Sequence, residues 1–320
     1  MADSDRSLAS LRTALIEVER SVLQVVRGNA DTVRLALAAM LAGGHVLLED
    51  VPGVGKTTLA RALARAIGCS FSRVQFTADL LPSDVTGVHI LEPQGGLRFK
   101  KGPLFANVVL ADEINRASPK TQSALLEAMA DGQVSVDDET LVLPPPFLVL
   151  ATQNPVEHHG AYPLPESQLD RFMVCLSLGY PPPDDERLLI LQNRSVDDAM
   201  KQLGATLDPE RMRALMAEVK ALPLSEAVAD YLLDLVSATR RHAAVELGCS
   251  PRGSIAWAAL CRARAVLEGR AFVLPDDVKA TACAVLVHRL GMRGVPEGGE
   301  ARRRARDVVN ELLHSTPAPR

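Results

Sequence analysis

One turn in the chain has the residue types that bind phosphate groups, and it consists of Gly53, Val54, Gly55, Lys56, Thr57 and Thr58. Its glycines allow the backbone to fold closely around phosphates with several N–H groups pointing inward, and the start of the next helix adds positive potential. Lys56 would reach the β- and γ-phosphates of ATP, and the Thr57 hydroxyl would bind Mg²⁺. The six residues therefore predict an ATP site, although Asp50 stands where the usual pattern has its first glycine.

Two further groups of polar residues follow apolar runs downstream of this turn. Asp112 and Glu113 end one run. Acidic pairs after strands are common, so this pair indicates a catalytic site only together with a phosphate loop. Asp112 would hold the hydrated Mg²⁺, and Glu113 would polarise the attacking water. Asn154 ends another run and could orient that water or contact the γ-phosphate. It could equally cap the turn before Pro155.

Short apolar runs alternate with helical patterns through the first half of the chain. This alternation is typical of an α/β fold with a mostly parallel sheet that helices cover on both faces. Ser118 is the expected N-cap of one helix, with Pro119 in its first turn. The predicted strands cover 45–49, 73–76, 107–111, 147–152 and 172–178.

The pattern changes at Pro181-Pro-Pro-Asp184, where three successive prolines interrupt regular structure. We therefore expect an N-terminal helical segment at 1–30, a core domain at 31–180, a linker at 181–184 and a helical domain at 185–320. In this last part the predicted helices cover 185–193, 209–221, 226–246, 254–268, 275–290 and 299–314.

Composition and charge indicate which partners and which cellular compartment the chain is suited to. The net charge is −4, whereas proteins that coat nucleic acid usually have a basic balance, so nucleic acid is not the expected partner. The five cysteines form no Cys-x-x-Cys pair, which suits a reducing compartment. The N-terminus has no apolar signal core, and no apolar run is long enough to span a bilayer. These features predict a cytoplasmic protein without a membrane segment.

Taken in order, the motifs resemble those of the MoxR family of AAA+ ATPases. The resemblance covers about residues 35–288, and the Asp50 departure is usual in this family. It implies a RecA-like AAA+ parallel sheet with helices on both faces and an all-helical C-terminal lid domain. The matching segments are 49–57, 75–87, 102–107, 110–117, 151–155, 162–172 and 250–252.

The resemblance also implies roles for three residues that lie far from the phosphate loop in the sequence. It makes Asn154 sensor 1, Arg171 an arginine finger and Arg252 sensor 2. Without it, either arginine could be an ordinary surface residue. It further implies an insertion around 80–89 and hairpins near 90–101 and 134–143.

Members of this family form rings, commonly hexameric, with ATP between subunits. They are regarded as chaperone-like motors that work with partners carrying von Willebrand factor A domains. The resemblance therefore implies an ATPase that remodels or matures such a protein. Three alternatives stay open at this point: the motor subunit of a metal chelatase, a nucleic-acid-dependent ring ATPase, and a nucleotide-switched scaffold with negligible turnover. The absence of aromatic residues interleaved with basic ones counts against the second.

Overall fold

The computed structural model describes residues 2–93, 96–137, 139–153, 162–192, 196–296 and 298–319. Helices and strands are interspersed as far as the last strand of the central sheet. In chain order these elements are α1 (Ala2–Val25), α2 (Ala30–Leu41), β1 (Val46–Glu49), α3 (Lys56–Ala66), β2 (Phe71–Gln75), α4 (Pro82–Thr86), β3 (Gly87–Leu91), β4 (Leu97–Lys101), β5 (Val108–Asp112), α5 (Pro119–Asp131), β6 (Gln133–Val136), β7 (Glu139–Val142), β8 (Leu148–Gln153), α6 (Glu166–Leu169) and β9 (Val174–Leu176).

The central sheet has the strand order β2-β5-β8-β1-β9, and all its pairs are parallel. These are the five strands that the sequence predicts, with ends that differ by a few residues. Strand side chains alternate between the two faces. Val46 and Leu48 of β1 pack into the cluster that contains α1, α2 and α3, whereas Leu47 packs into the cluster that contains α5. Helices therefore cover both faces, as a parallel sheet requires.

The starts of two covering helices, α2 and α5, follow local capping rules. The Asn29 side chain accepts hydrogen bonds from the N–H groups of Asp31 and Thr32 at the start of α2. Ser118 accepts from the Thr121 N–H at the start of α5, where Pro119 occupies the first turn. The predicted cap at Ser118 is thus confirmed.

Two antiparallel hairpins project from the sheet domain. The first pairs β3 with β4 and follows the short helix α4, and the second pairs β6 with β7. Both lie where the family resemblance places an insertion and hairpins.

The C-terminal part is mainly helical. Its elements are α7 (Pro183–Gln192), α8 (Val196–Gln202), α9 (Pro209–Ala221), α10 (Glu226–Arg241), β10 (Val245–Leu247), α11 (Pro251–Leu267), α12 (Pro275–Leu286), β11 (Gly291–Met292) and α13 (Gly299–Ser315). Helix α7 begins at Pro183, inside the proposed linker. Proline is tolerated in the first turn of a helix, because the N–H that it lacks would have no partner within the helix there.

One predicted helix is too long at its C-terminal end. The helix expected at 226–246 ends at Arg241, and the chain continues as β10, which pairs with β11 in a short antiparallel ribbon. Arg240 donates through Nε to the carbonyl of Cys249 at 2.8 Å, so the chain folds back along the end of α10. A Cβ on Gly248 would lie 2.7 Å from Cα of Arg240, so this close return requires glycine.

The helical part packs directly on the sheet domain. One apolar cluster includes Leu37 of α2, Val174 of β9, Trp257 of α11 and Val285 of α12. The proposed domain division therefore does not correspond to two separate apolar cores. Among the described helices, none is both long and apolar enough to span a membrane.

Candidate functional site

The predicted phosphate loop lies between β1 and α3. Gly53 and Gly55 have φ angles of 87° and 100°, in the left-handed region that favours glycine. A Cβ on Gly53 would meet no atom within 4 Å, so the loop is open on that side. The Val54 side chain packs against the main apolar cluster, and α3 begins at Lys56. The loop is therefore anchored from behind while its other side is open.

Asp50, the departure from the usual pattern, fixes the start of this loop. Its carboxylate is buried and accepts hydrogen bonds from the Ser177 hydroxyl at 3.0 Å and from the backbone N–H groups of Leu178 and Gly179. These three donors lie directly after β9. A glycine at this position could make none of these contacts, so Asp50 ties the loop to the segment that leads into the lid.

Lys56 extends along the loop. Its ammonium donates to the backbone carbonyl of Asp50 at 2.8 Å. Burial lowers the pKa of Lys56, and the negative charges of Asp50, Asp112 and Glu113 oppose that shift. The ammonium is thus held within the loop by a neutral acceptor.

Asp112 lies at the end of β5 between two donors from the neighbouring strands. The Thr152 hydroxyl of β8 donates to its Oδ1 at 2.6 Å, and the Arg73 guanidinium of β2 contacts its Oδ2 at 2.6 Å. Because β2, β5 and β8 are adjacent and parallel, their carboxyl ends bring these side chains together. Side chains of the same chain therefore orient both oxygens of this carboxylate.

Glu113 follows β5 with φ 56° and ψ 49°, an uncommon backbone conformation for a residue other than glycine. Its N–H donates to the Thr152 hydroxyl at 2.9 Å. Its carboxylate oxygen Oε2 accepts from Gln75 Nε2 at 2.9 Å and from the Arg116 guanidinium at 2.9 Å. The backbone strain and the two donors define where this carboxylate points.

A cavity of about 350 Å³ joins these parts. It brings together the predicted phosphate-loop residues, apart from the inward-packed Val54, and both predicted carboxylates. The lining residues are Pro52, Gly53, Gly55, Lys56, Thr57, Thr58, Arg73, Gln75, Asp112, Glu113 and Thr152.

Three polar residues of this cavity were not predicted from the sequence: Arg73, Gln75 and Thr152. Arg73 and Gln75 occupy alternate positions at the end of β2, and Thr152 lies near the end of β8. Each is a polar residue in or after an apolar strand, which is the only signal the sequence offers. The predicted sensor Asn154 lies outside the described residues. Its predecessor Gln153 donates to Glu49 on β1 at 2.5 Å.

Arg171 and Arg252 lie together at the opposite edge of the sheet. Arg171 precedes β9, whose first residue Val174 pairs with Val46 at the start of β1. Its guanidinium donates to the Leu126 carbonyl at 2.5 Å. Arg252 is exposed in the first turn of α11. The two arginines are therefore at the amino edge of the sheet, whereas the phosphate loop is at the carboxyl edge.

A second cavity, of about 540 Å³, contains both arginines. No phosphate-loop residue lines it. Its lining residues are Ala42, Gly43, Gly44, His45, Met129, Ala130, Asp170, Arg171, Met173, Arg252, Ile255, Ala256, Ala259 and Arg289.

His45 is a buried member of this second cavity. Its Nε2 is 2.9 Å from the Met129 carbonyl, and its Nδ1 accepts from the Val149 N–H at 3.0 Å. This pairing fixes the neutral tautomer with hydrogen on Nε2. Burial lowers the pKa of His45 to about 4, partly opposed by the bond to Met129.

Comparison with known proteins gives consistent matches along the chain. The sequence model of the ATPase family associated with various cellular activities (AAA) matches residues 45–174, and that of the AAA lid domain matches residues 237–312. The Bacillus subtilis protein YeaC is 48% identical over 298 residues, or 92% of each chain. The chaperone MoxR1 of Mycobacterium tuberculosis is 42% identical over 292 residues, which cover 88% of this chain and 75% of MoxR1. The crystal structure of a predicted ATPase from Cytophaga hutchinsonii superposes with a TM-score of 0.89 at 35% identity, covering 100% of this chain and 99% of the other.

Proposed function

Because this chain belongs to the MoxR family of AAA+ ATPases, we propose that it hydrolyses ATP to ADP and phosphate in the phosphate-loop cavity. One observation carries the proposal: a single cavity is lined by Lys56 and Thr57 of the loop and by the carboxylates of Asp112 and Glu113. Phosphoryl transfer needs these groups together, because catalysis consists mainly of positioning and charge stabilisation.

In this proposal the loop from Gly53 to Thr58 binds the phosphates through backbone N–H groups and the Lys56 ammonium. The Thr57 hydroxyl and the Asp112 carboxylate are hard oxygen donors of the kind that Mg²⁺ prefers, so the residues present fit that ion. When bound, Mg²⁺ supplies positive charge beside the β- and γ-phosphates. Arg73 already contacts Asp112, so it balances the charge of this carboxylate without the ion.

Glu113 is the residue that activates the attacking water. Gln75 and Arg116 hold one of its oxygens, which limits the directions in which the carboxylate can accept a proton. Asn154 directly follows Gln153, the last residue of β8, and is proposed to orient the same water. Both residues then act on the γ-phosphate end of the site.

Arg171 and Arg252 act on the nucleotide of a neighbouring subunit. They share a cavity at the amino edge of the sheet, and their own phosphate loop lies at the carboxyl edge. A contact between unlike edges of identical chains is head-to-tail, and such contacts close into rings when the rotation permits. We therefore propose a homo-oligomeric ring, hexameric as in the family resemblance, with ATP between subunits.

The biological role proposed is the remodelling or maturation of a partner protein with a von Willebrand factor A domain. The support is the family and the name of the relative MoxR1, a chaperone. Such a partner should bind the ring more tightly with ATP than with ADP, as coupling between sites requires. Equal affinities in calorimetry with the two nucleotides would contradict this part alone.

The ATPase proposal is tested with Glu113→Gln. The amide keeps the shape of the side chain but is a far weaker base, so hydrolysis should fall by about 10²- to 10⁴-fold while ATP still binds. Phosphate release measures the first effect and calorimetry the second. The control is Glu127→Gln, which changes an exposed carboxylate of α5 and should retain wild-type turnover. Wild-type turnover in Glu113→Gln would reject Glu113 as the activating residue.

A further inference from the structure

Asp170 directly precedes Arg171, and two residues of the lid bind its carboxylate. Arg289 donates through Nε to Oδ1 at 2.8 Å, and the Ser250 hydroxyl donates to Oδ2 at 2.8 Å. Both carboxylate oxygens are thus used by groups that come from a different part of the chain. The contacts join the segment before β9 to the helical lid.

Arg289 is almost fully buried, with 4% of its surface exposed. Besides Asp170 Oδ1, its guanidinium donates to backbone carbonyls of the same core segment: Asp170 at 3.3 Å, Phe172 at 2.6 Å and Met173 at 3.0 Å. It also donates to the Val285 carbonyl on α12. One lid side chain therefore holds the backbone on both sides of Arg171.

The same cluster fixes the helix start that carries Arg252. Ser250 is the N-cap of α11, and its hydroxyl accepts from the Gly253 N–H at 3.0 Å while donating to Asp170. A Cβ on Gly253 would lie 3.0 Å from Cδ of Arg289, so glycine at this position allows the guanidinium to pass close beneath the helix start. Asp170 is thus bound both to the cap before Arg252 and to Arg289.

We propose that Asp170, Ser250 and Arg289 are positioning residues that hold Arg171 and Arg252 as one unit facing the nucleotide of the neighbouring subunit. This inference rests on the proposed function, because it assigns a role in hydrolysis across the subunit contact. A buried ion pair is by itself weak evidence for stability, since desolvation offsets much of the attraction. Its location between the two arginines instead points to a role in geometry, to which phosphoryl transfer is sensitive.

The test is Asp170→Asn, which keeps the size of the side chain and removes its charge. We expect turnover to fall about 10- to 100-fold, the effect of an arginine misplaced by about 1 Å, while the affinity of the variant for ATP changes less than about twofold. Mixed with Lys56→Ala, whose arginines are intact, the variant should regain part of its activity. Mixed with Arg171→Ala it should not, because both variants are defective at the same edge.

The matched control is Asp277→Asn. Asp277 is 1% exposed and forms a paired contact with Arg270 at 2.6 and 2.7 Å, but it lies within the lid. Removing this charge should destabilise the fold without a defect that Lys56→Ala rescues. Ser250→Ala, a milder change, tests the same cluster if Asp170→Asn does not fold, and it should show the same pattern of rescue.

The proposed function and the positioning role are contradicted by different results. A wild-type chain without ATPase activity would refute the proposed function, and full activity in Arg171→Ala would refute the role proposed there for Arg171. If Arg171→Ala is inactive but Asp170→Asn and Ser250→Ala turn over like Asp277→Asn, the positioning role alone is overturned. If Lys56→Ala rescues Arg171→Ala but not Asp170→Asn, in mixtures where subunit exchange is demonstrated, the positioning role is also overturned.

Discussion

At the carboxyl edge of the central sheet, the polar side chains are paired with one another within one chain. Asp112 contacts Thr152 and Arg73, and Glu113 contacts Gln75 and Arg116. At the amino edge, Arg171 and Arg252 border an open cavity that includes none of the phosphate-loop residues. The polar side chains at the carboxyl edge therefore bind one another, whereas at the amino edge Arg171 donates to a backbone carbonyl and Arg252 is exposed.

The two edges are therefore proposed to differ in whether they act within one chain or on a neighbouring subunit. The carboxyl edge is proposed to bind nucleotide with residues of a single chain, so damage there should be local to one subunit. The amino edge is proposed to act only on a neighbour, so damage there is rescued by a neighbour with an intact edge. Mixtures of variants distinguish these cases more sharply than any single variant.

The largest effect is expected for Arg171→Ala. An arginine that stabilises the transition-state charge is worth about 10³–10⁵ in rate, so turnover should fall by that order while ATP binding is retained. Lys56→Ala should instead lose tight ATP binding, because its charge-assisted contacts to the phosphates are removed. Calorimetry and phosphate release separate the two defects.

Mixing Arg171→Ala with Lys56→Ala tests whether the amino edge acts on the nucleotide of a neighbouring subunit. An Arg171 from the Lys56→Ala subunit would meet an intact phosphate loop on its neighbour, so the mixture should exceed both components in phosphate release. If subunits exchange and no mixture exceeds its inactive components, Arg171 acts within its own subunit or not at all.

The sequence predicts the two edges unequally. The phosphate loop and the pair Asp112-Glu113 are contiguous motifs whose chemistry can be inferred locally, and the five strands follow from apolar runs. Arg73, Gln75 and Thr152 could not be assigned, because their contacts depend on the pairing of β2 with β5 and of β5 with β8, and these strands are far apart in the chain. The contact between Asp170 and Arg289 joins residues 119 positions apart, and Arg289 lies outside every matching segment.

The predicted helix at 226–246 extends beyond the observed end of α10 because pairing with a distant strand is not visible in the local sequence. Ala243, Ala244 and Val245 continue the apolar spacing of the helix, so local periodicity extends it too far. The strand β10 forms because β11, from a distant part of the chain, supplies its hydrogen-bond partners. Tertiary pairing overrides local preference here.

A smaller effect is expected for Asp50→Ala at the carboxyl edge. The change leaves the buried N–H of Leu178 without its acceptor and also removes the contacts to Ser177 and Gly179. We expect a loss of about 2–4 kcal/mol in the free energy of unfolding, together with weaker ATP binding because the loop start is released. Urea unfolding and calorimetry measure the two effects.

Asp230→Ala, at an exposed position of α10, is the control and should change stability by less than about 0.5 kcal/mol. Because the Asp50 contacts lie within one chain, a neighbour should not rescue the binding defect. Restoration of ATP affinity by mixing with Arg171→Ala would show that the carboxyl edge also depends on its neighbour.

The smallest effect concerns His45 at the amino edge and depends on pH. Its pKa is about 4 in the folded chain and 6.5 as the ordinary value, so the unfolded chain binds the proton more readily between these pH values. The contribution of neutral His45 is therefore fully present above pH 6.5 and is lost as the pH falls towards 4. The loss is about 2 kcal/mol at pH 5 and about 3 kcal/mol at pH 4.

His45→Gln removes this titration but keeps an amide that can donate to the Met129 carbonyl. The free energy of unfolding of the variant should be lower at pH 7, because the acceptor for the Val149 N–H is lost, yet it should fall less between pH 7 and pH 5. Burial also lowers the pKa of His288, which gives a loss of the same sign in both proteins, so the difference between them isolates His45. Denaturant unfolding at the two pH values measures it. If the free energy of unfolding falls equally in the two proteins between pH 7 and pH 5, the titration of His45 does not contribute to the pH dependence of stability.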